Sequence, residues 1–112
     1  MKRIEAIVRP DKLEDVKAAL VEFGHHGLTV TDVRGHGIQN GITQQWRGQE
    51  LRVDMLPKTS IVTVVHDHEA RDAAQAIAAA ARTGRIGDGK IFITSVEEVI
   101  RIRTGEIGPD AL

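Results

Sequence analysis

The chain of 112 residues contains no cysteine and no tyrosine, and its only aromatic residues are one tryptophan and two phenylalanines. The absence of cysteine excludes disulfides, thiolate metal sites and a cysteine nucleophile. Because aromatic rings are so scarce, the core must be built from valine, isoleucine, leucine and alanine. No apolar run is long enough to cross a bilayer, and the opening MKRIEAIVRPDK has no signal-peptide core. We therefore expect a cytoplasmic protein that does not insert into membranes.

An excess of charge of either sign is also missing. Lysine and arginine together number 15, aspartate and glutamate 16, and the net charge is −1. This balance argues against a general binder of nucleic acids or anionic membranes, so we expect no nucleic-acid partner. A length of 112 residues is typical of one domain, and we expect a single domain over residues 1–112.

Periodicity predicts four strands and two helices. Alternating or β-branched stretches indicate strands at residues 2–8, 28–34, 59–65 and 91–94. The first helix follows Asp11, which we expect to form a capping box with Glu14, and it ends at Gly24. The second helix is alanine-rich, begins at Asp67 or His68 and ends at Gly84.

The order of these elements predicts an α+β fold of the ferredoxin-like βαββαβ type. Such a fold is an antiparallel four-stranded sheet with two helices on one face. Because no helix remains to cover the other face, whose strands carry many isoleucine, valine and threonine residues, we expect a homo-oligomer. Between the second and third strands, residues 36–57 are rich in glycine and amides and predict a long, flexible, functional loop.

The segment GRIGDGK, residues 84–90, is the strongest chemical signal. Its glycines allow backbone N–H groups to face an anion, and Lys90 adds a cation. It is not a P-loop, because Ile91 replaces the Mg²⁺-binding hydroxyl and because the segment runs from helix to strand. A phosphate-binding loop and a helix cap followed by a tight turn both remain open.

Arg101 and Arg103 are two residues apart near the end of the chain. On a strand their side chains would point the same way and could hold a polyphosphate through bidentate bonds. A solvated pair at the edge of a sheet is the alternative.

Three collinear segments carry a family resemblance: MKRIEAIVRPDKLEDVKAAL, GLTVTDVRGHG and AARTGRIGDGKIFITSVEEVIRIRTGE. Together they resemble the PII nitrogen-regulatory signal-transduction proteins over nearly the whole chain. The resemblance implies a non-enzymatic homotrimer that binds ATP or ADP in clefts between subunits. It also implies Mg²⁺ bound with ATP, 2-oxoglutarate as effector, and a regulatory T-loop at residues 36–57.

The resemblance also implies roles for individual residues. Nucleotide binding is implied for Gly27, Thr29, Gly35, Gly37, Gln39, Gly87, Asp88, Gly89, Lys90, Arg101 and Arg103. A 2-oxoglutarate site is implied at Gln39, Lys58 and Gly87, with Gln39 also holding the Mg²⁺ that accompanies ATP. Partner contact is implied for Arg47, Glu50 and Leu51. Trp46 replaces the usual tyrosine and, as a tryptophan in this loop, predicts a partner contact, with folding back onto its own subunit as the alternative. The implied partners are an ammonium transporter or another membrane transporter, to which the protein would be recruited, or enzymes of nitrogen metabolism.

The sequence departs from the family at several functional positions. Ile38 stands where many members have an arginine, and Val62 stands where a glutamate is usual. Leu51 takes the place of the tyrosine that many bacterial members carry as a nucleotidylation site. Without any tyrosine, we expect control by small-molecule occupancy alone. The alternative is a divergent paralogue with an altered response to nucleotide and effector that regulates a different membrane transporter. An enzyme on the same fold has no support from fold alone.

Overall fold

The computed structural model describes residues 1–25, 27–36, 42–46, 49–53 and 55–112, with the backbone alone described for 42–46 and 49–53. In chain order its main elements are β1 (Lys2–Val8), α1 (Leu13–Glu22), β2 (Thr29–Gly35), β3 (Ile42–Trp46), β4 (Gln49–Val53), β5 (Leu56–Val65), α2 (Ala70–Ala81) and β6 (Lys90–Ser95). Short 3₁₀ turns occupy Pro10–Lys12, Asp67–Glu69 and Pro109–Ala111. Neither α-helix in this part of the chain has the length and apolar character needed to span a bilayer.

The main sheet has four antiparallel strands in the order β2-β5-β1-β6. Each helix therefore connects two strands that have a third strand between them. That arrangement is the split βαβ pattern of ferredoxin-like folds. The predicted fold class is confirmed.

The core lies between the sheet and the two helices. Ile4, Ala6 and Val8 alternate along β1 and are at most 2% exposed. They belong to one apolar cluster with Leu20 of α1 and Ile77 of α2, together with several alanines of α2. Because alanine side chains are small, α2 can approach the sheet closely. The core therefore needs no aromatic residue, as the composition predicts.

The opposite face of the sheet is covered by neither described helix. Its β1 residues, Arg3, Glu5 and Ile7, are only partly buried, and Phe92 of β6 is 49% exposed. The Glu5 carboxylate accepts a hydrogen bond from Ser60 at 2.9 Å. This face therefore combines charged and apolar groups, rather than being purely apolar.

The helix ends differ in part from the prediction. The Asp11–Glu14 capping box is wrong, because Pro10 begins a 3₁₀ turn that places Asp11 inside helical backbone, and no side chain caps α1. The predicted end of α1 is confirmed. Gly24 has φ +99°, and the N–H groups of Gly24 and His25 donate to the carbonyls of Val21 and Leu20, as in a Schellman motif.

The second helix is shorter at both ends than predicted. A 3₁₀ turn at Asp67–Glu69 precedes α2, which begins at Ala70 and ends at Ala81, before Gly84. The two residues between the helix and this glycine, Arg82 and Thr83, therefore belong to the loop that leads to β6.

The loop predicted at residues 36–57 contains a hairpin that the sequence pattern did not indicate. β3 and β4 pair in antiparallel register, with Ile42 opposite Val53 and Trp46 opposite Gln49. The sequences ITQQW and QELRV lack regular apolar alternation, so period-two analysis misses them. β5 also begins earlier than predicted, at Leu56.

Arg101 and Arg103 do not lie on a strand, so the predicted parallel orientation of their side chains is wrong. They belong to a turn closed by an isolated bridge between Ile100 and Ile107. The N–H of Gly105, at φ +73°, donates to the Arg101 carbonyl at 2.7 Å. Glycine adopts a positive φ without steric cost, so the chain turns at Gly105 and the segment that begins at Arg101 does not form a strand.

The junction of β1 and β6 generates a stability prediction at Gly89. A Cβ atom there would lie 1.7 Å from the Ile7 carbonyl oxygen, and φ is +98°. At Gly84, with φ +85°, a Cβ would meet nothing within 4 Å. We expect Gly84→Ala to cost about 1–2 kcal/mol through backbone strain, and Gly89→Ala to cost about 1–3 kcal/mol more through the clash.

Urea unfolding of both variants at one fixed protein concentration measures this difference. Equal losses in Gly84→Ala and Gly89→Ala would contradict the close approach of the loop to β1.

Candidate functional site

The sheet topology gathers several loop residues at one end of the molecule. β1 and β6 are antiparallel neighbours, so the end of β1 lies beside the start of β6, with Ile7 opposite Lys90. β5 starts at the same end, because Val8 pairs with Thr59. β2 finishes there, with Gly35 opposite Leu56. The loop from α2 to β6 therefore meets the basic residues that follow β1 and begin β5.

These elements surround a cavity of about 470 Å³. Its volume lies within the range of small-molecule sites. Six predicted site residues line it: Gly35, Lys58, Gly87, Asp88, Gly89 and Lys90. The other lining residues are Ile7, His36, Leu56, Arg85, Ile86 and Phe92.

The Asp88 carboxylate organises the loop between α2 and β6. One of its oxygens accepts the backbone N–H groups of Thr83 at 2.8 Å and Gly84 at 2.9 Å. The other accepts the Thr83 hydroxyl and the Arg9 Nε–H, the latter at 3.1 Å. A carboxylate would repel a phosphate, but this one is engaged by four donors of its own chain. We therefore assign Asp88 the role of holding the loop.

Hydrogen bonds keep this carboxylate ionised. The hydroxyl of Thr83 has the largest effect in lowering the pKa of Asp88 well below its usual value. The backbone N–H groups of Thr83 and Gly84 and the Arg9 guanidinium lower the pKa further, while desolvation acts in the opposite direction. Asp88 therefore carries its charge throughout the neutral range.

Arg9 is the site residue that the sequence analysis missed. Besides its contact with Asp88, its Nη2 donates to the Ile86 carbonyl at 2.7 Å. One guanidinium thus fixes two points of the loop. In the predicted fold, residues just after β1 lie next to those just before β6. A contact of Arg9 with the loop before β6 could therefore have been predicted.

Lys58 approaches the same loop from β5. Its ammonium donates to the Gly87 carbonyl at 2.7 Å. Burial is the main cause that lowers the pKa of Lys58, the positive charge of Arg9 lowers it further, and Asp88 opposes both. A lysine held among cations and partly desolvated gains most from an additional anion, because the anion relieves both penalties.

The electrostatic character of the cavity is cationic. Lys58, Lys90 and Arg85 line it, and Asp88, the one carboxylate among the described lining residues, is already bound by Thr83, Gly84 and Arg9. In the described part of the chain, no group of three histidine or acidic residues is placed to hold a metal ion. The arrangement is suited to a ligand with several negative charges.

Of the remaining predicted nucleotide residues, the four that the structure describes, Gly27, Thr29, Arg101 and Arg103, do not line this cavity. Gly27 precedes β2, and its carbonyl accepts the Thr63 hydroxyl at 2.8 Å, while Thr29 pairs with Val62 at the start of β2. Arg101 and Arg103 lie in the turn near the end of the chain. Residues 37, 39 and 47, predicted as Gly37, Gln39 and Arg47, lie outside the described residues. Trp46, Glu50 and Leu51 lie in the β3–β4 hairpin, whose side chains are not described.

Fold and site together define a ferredoxin-like domain with a cation-lined cavity suited to an anionic ligand. The profile of the family described as "Nitrogen regulatory protein P-II" matches residues 1–106. The chain is 56% identical over 112 residues to "Nitrogen regulatory protein P-II 2" of Methanothermobacter thermautotrophicus, covering 100% of this chain and 97% of that protein. It is 56% identical to "Nitrogen regulatory protein P-II" of Rhizobium meliloti and 57% identical to that of Azospirillum brasilense, each over the full length of both chains.

The chain therefore belongs to the P-II family of nitrogen regulatory proteins. Members of this family are signalling regulators that act on partner proteins, and they are not enzymes. The resemblance found in the sequence is confirmed.

The engaged carboxylate of Asp88 predicts a pH dependence of stability. A carboxyl group whose pKa is lowered on folding stabilises the protein above its unfolded pKa of about 3.9 and loses that contribution as the pH falls further. We expect Asp88→Asn to be less stable than wild type at pH 7. The difference should shrink progressively below about pH 4, because the wild-type carboxyl takes up a proton in the unfolded state while it stays ionised in the folded state.

Urea unfolding between pH 7 and pH 2.5 tests this expectation. Asp11→Asn is the matched control, since Asp11 is exposed in the 3₁₀ turn after Arg9. A constant difference between wild type and Asp88→Asn across this pH range would refute the role assigned to the ionised carboxylate.

Proposed function

We propose that this protein is a nitrogen-signalling regulator whose cavity receives the phosphates of ATP or ADP. The convergence of Lys58 and Lys90 on a loop already held by Arg9 and Asp88 is the observation that carries the proposal. Because the loop is held before a ligand arrives, little ordering entropy opposes binding. Phosphate oxygens would accept from the lysine ammonium groups and from backbone N–H groups at Gly87 and Gly89.

A complete nucleotide site requires residues that lie away from the cavity in a single chain. Gly27 and Thr29 at the start of β2, and Arg101 and Arg103 near the end of the chain, would come from a neighbouring copy. The sheet face without helices supports such an assembly, because its apolar part is buried only by another chain. We propose a homotrimer in which each cleft combines a cavity from one subunit with these residues from the next.

The second ligand that we propose is 2-oxoglutarate, bound together with Mg²⁺ and ATP. Its carboxylate would pair with Lys58, whose ammonium already lies against the Gly87 carbonyl at 2.7 Å. Gln39 would hold the Mg²⁺ that accompanies ATP. Since Mg²⁺ offsets charge between the phosphates and the dicarboxylate, the effector should bind only when Mg-ATP is present.

The segment between β2 and β5 would carry the signal to partners. It is attached to the cavity at both ends, because Gly35, His36 and Leu56 line the cavity. A ligand that prefers one arrangement of these ends shifts the population of segment conformations without any chemistry. Trp46, Arg47, Glu50 and Leu51 would contact the partner, which we propose is an ammonium transporter, another membrane transporter or an enzyme of nitrogen metabolism.

Coupled ligand binding is the direct prediction of this proposal. By isothermal titration calorimetry we expect ATP or ADP to bind alone, and 2-oxoglutarate to bind only with Mg-ATP. Lys58→Met should weaken 2-oxoglutarate binding about ten- to a hundredfold, because a charge-assisted contact is lost. Lys17→Met, which removes an exposed lysine of α1, should leave both affinities unchanged.

Two negative results of this titration would contradict different parts of the proposal. Absence of any nucleotide binding would refute the proposed site. Nucleotide binding without coupled 2-oxoglutarate binding would instead favour a divergent paralogue, consistent with Ile38 and Val62 at positions where charged residues are usual.

The lack of tyrosine predicts that nucleotidylation does not regulate this chain. Leu51, at the position of the modified tyrosine in many relatives, has no hydroxyl that can accept a nucleotidyl group. After incubation with a P-II-modifying nucleotidyltransferase and its nucleotide, intact-mass spectrometry should find the mass unchanged. A tyrosine-bearing P-II protein treated in parallel is the positive control, and a nucleotidyl increment on this chain would contradict the prediction.

A further inference from the structure

Arg101 is bound by the chain segment that follows it. Its Nη1 donates to the Glu106 carboxylate at 2.8 Å. Its Nη2 donates to the backbone oxygens of Leu112 at 3.0 Å and Asp110 at 3.3 Å. All three acceptors lie within residues 104–112, which we call the C-terminal strap.

The strap is held beside Arg101 by contacts that do not involve the guanidinium. The Gly108 N–H donates to the Val99 carbonyl at 2.9 Å, Ile107 forms a bridge with Ile100, and Ala111 is 8% exposed. These anchors keep the Glu106 carboxylate close to Arg101 when its hydrogen bonds break. The strap therefore acts at a high effective concentration, as any tethered ligand does.

The same guanidinium cannot serve the strap and a polyphosphate in full. A bidentate contact with phosphate uses two N–H groups of the fork. Both terminal nitrogens of Arg101 already donate to the strap, and Glu106 occupies Nη1 with the same charge that a phosphate would bring. A phosphate that binds end-on to both terminal nitrogens must displace this carboxylate at least in part.

We propose that the C-terminal strap is an intramolecular competitor that occupies Arg101 until a polyphosphate displaces it. This inference rests on the proposed function, since it takes Arg101 as a residue that holds phosphate in the neighbouring cleft. Displacing Glu106 from Arg101 costs little free energy, because the Arg101 and Glu106 side chains are 35% and 44% exposed and solvent screens their ion pair. The strap thus lowers nucleotide affinity moderately, and the Glu106 carboxylate leaves Arg101 when nucleotide binds.

The test is ATP and ADP affinity in Glu106→Gln. Removing the competing charge should tighten binding of both nucleotides about two- to fivefold, the range for a partly exposed ion pair. Glu98→Gln is the matched control, because it removes an exposed carboxylate nearby without touching Arg101. It should leave affinity unchanged. In an Arg101→Gln background, Glu106→Gln should no longer tighten binding, which separates competition for Arg101 from a general change in charge.

A measurement on the wild-type chain does not depend on how the variants fold. In ¹⁵N–¹H correlation spectra, the Gly105 and Gly108 amides of the strap should shift when ADP or ATP is added and stay in place with adenosine. Equal nucleotide affinities in Glu106→Gln and wild type, or strap amides that do not shift with ATP, would overturn the proposed competition but not the proposed function. No nucleotide binding by any variant would overturn the proposed function, and the competition with it.

Discussion

The candidate site depends on one interaction, the binding of the Asp88 carboxylate by Thr83, Gly84 and Arg9. It closes the loop between α2 and β6 on itself and ties that loop to the end of β1. Once the loop is closed, the Ile86 carbonyl meets Arg9 and the Gly87 carbonyl meets Lys58. A negative charge is thus used inside the loop so that the cations around it remain directed toward the cavity. Without this pairing, Asp88 would repel the anions that the other lining residues attract.

Much of the fold could be predicted from local patterns, because the alternation in β1 and the alanine-rich composition of α2 indicate a strand and a helix that pack against each other. The Asp11 cap could not, because Pro10 shifted the start of the first helical turn. The β3–β4 hairpin was missed because each of its strands has only two apolar residues among amides and charged residues, too few to define a period-two pattern. In the candidate site, the glycine loop could be identified from its own residues, and Lys58 by resemblance. The positioning role of Arg9 was not identified, since its contact with Asp88 joins residues 79 positions apart, and that of Asp88 was not, since its local contacts with Thr83 and Gly84 have no periodic pattern.

In the proposed function, regulation depends on weak, partly exposed contacts such as those of Lys58 and Arg101. In the proposed trimer, one chain supplies the cation-lined cavity, and its neighbour supplies Arg103 and Arg101, of which Arg101 is occupied by the neighbour's own strap. In the proposed function, the segment between β2 and β5 would connect the cavity to partners through its two attached ends. Each such contact contributes little free energy, so the proposed nucleotide and effector would be able to shift the balance among these contacts. The absence of tyrosine fits this arrangement, because it leaves ligand occupancy as the route of control that we propose.

The most direct test of the central claim is a ¹⁵N–¹H correlation spectrum of the protein titrated with Mg-ATP and, separately, with adenosine. The account predicts that the Gly87 and Gly89 amides, together with those of Lys58 and Lys90, shift strongly with Mg-ATP and little with adenosine. That pattern would place the phosphates in the cavity organised by Asp88. Strong shifts confined to residues away from this loop, or equal shifts with adenosine, would contradict it.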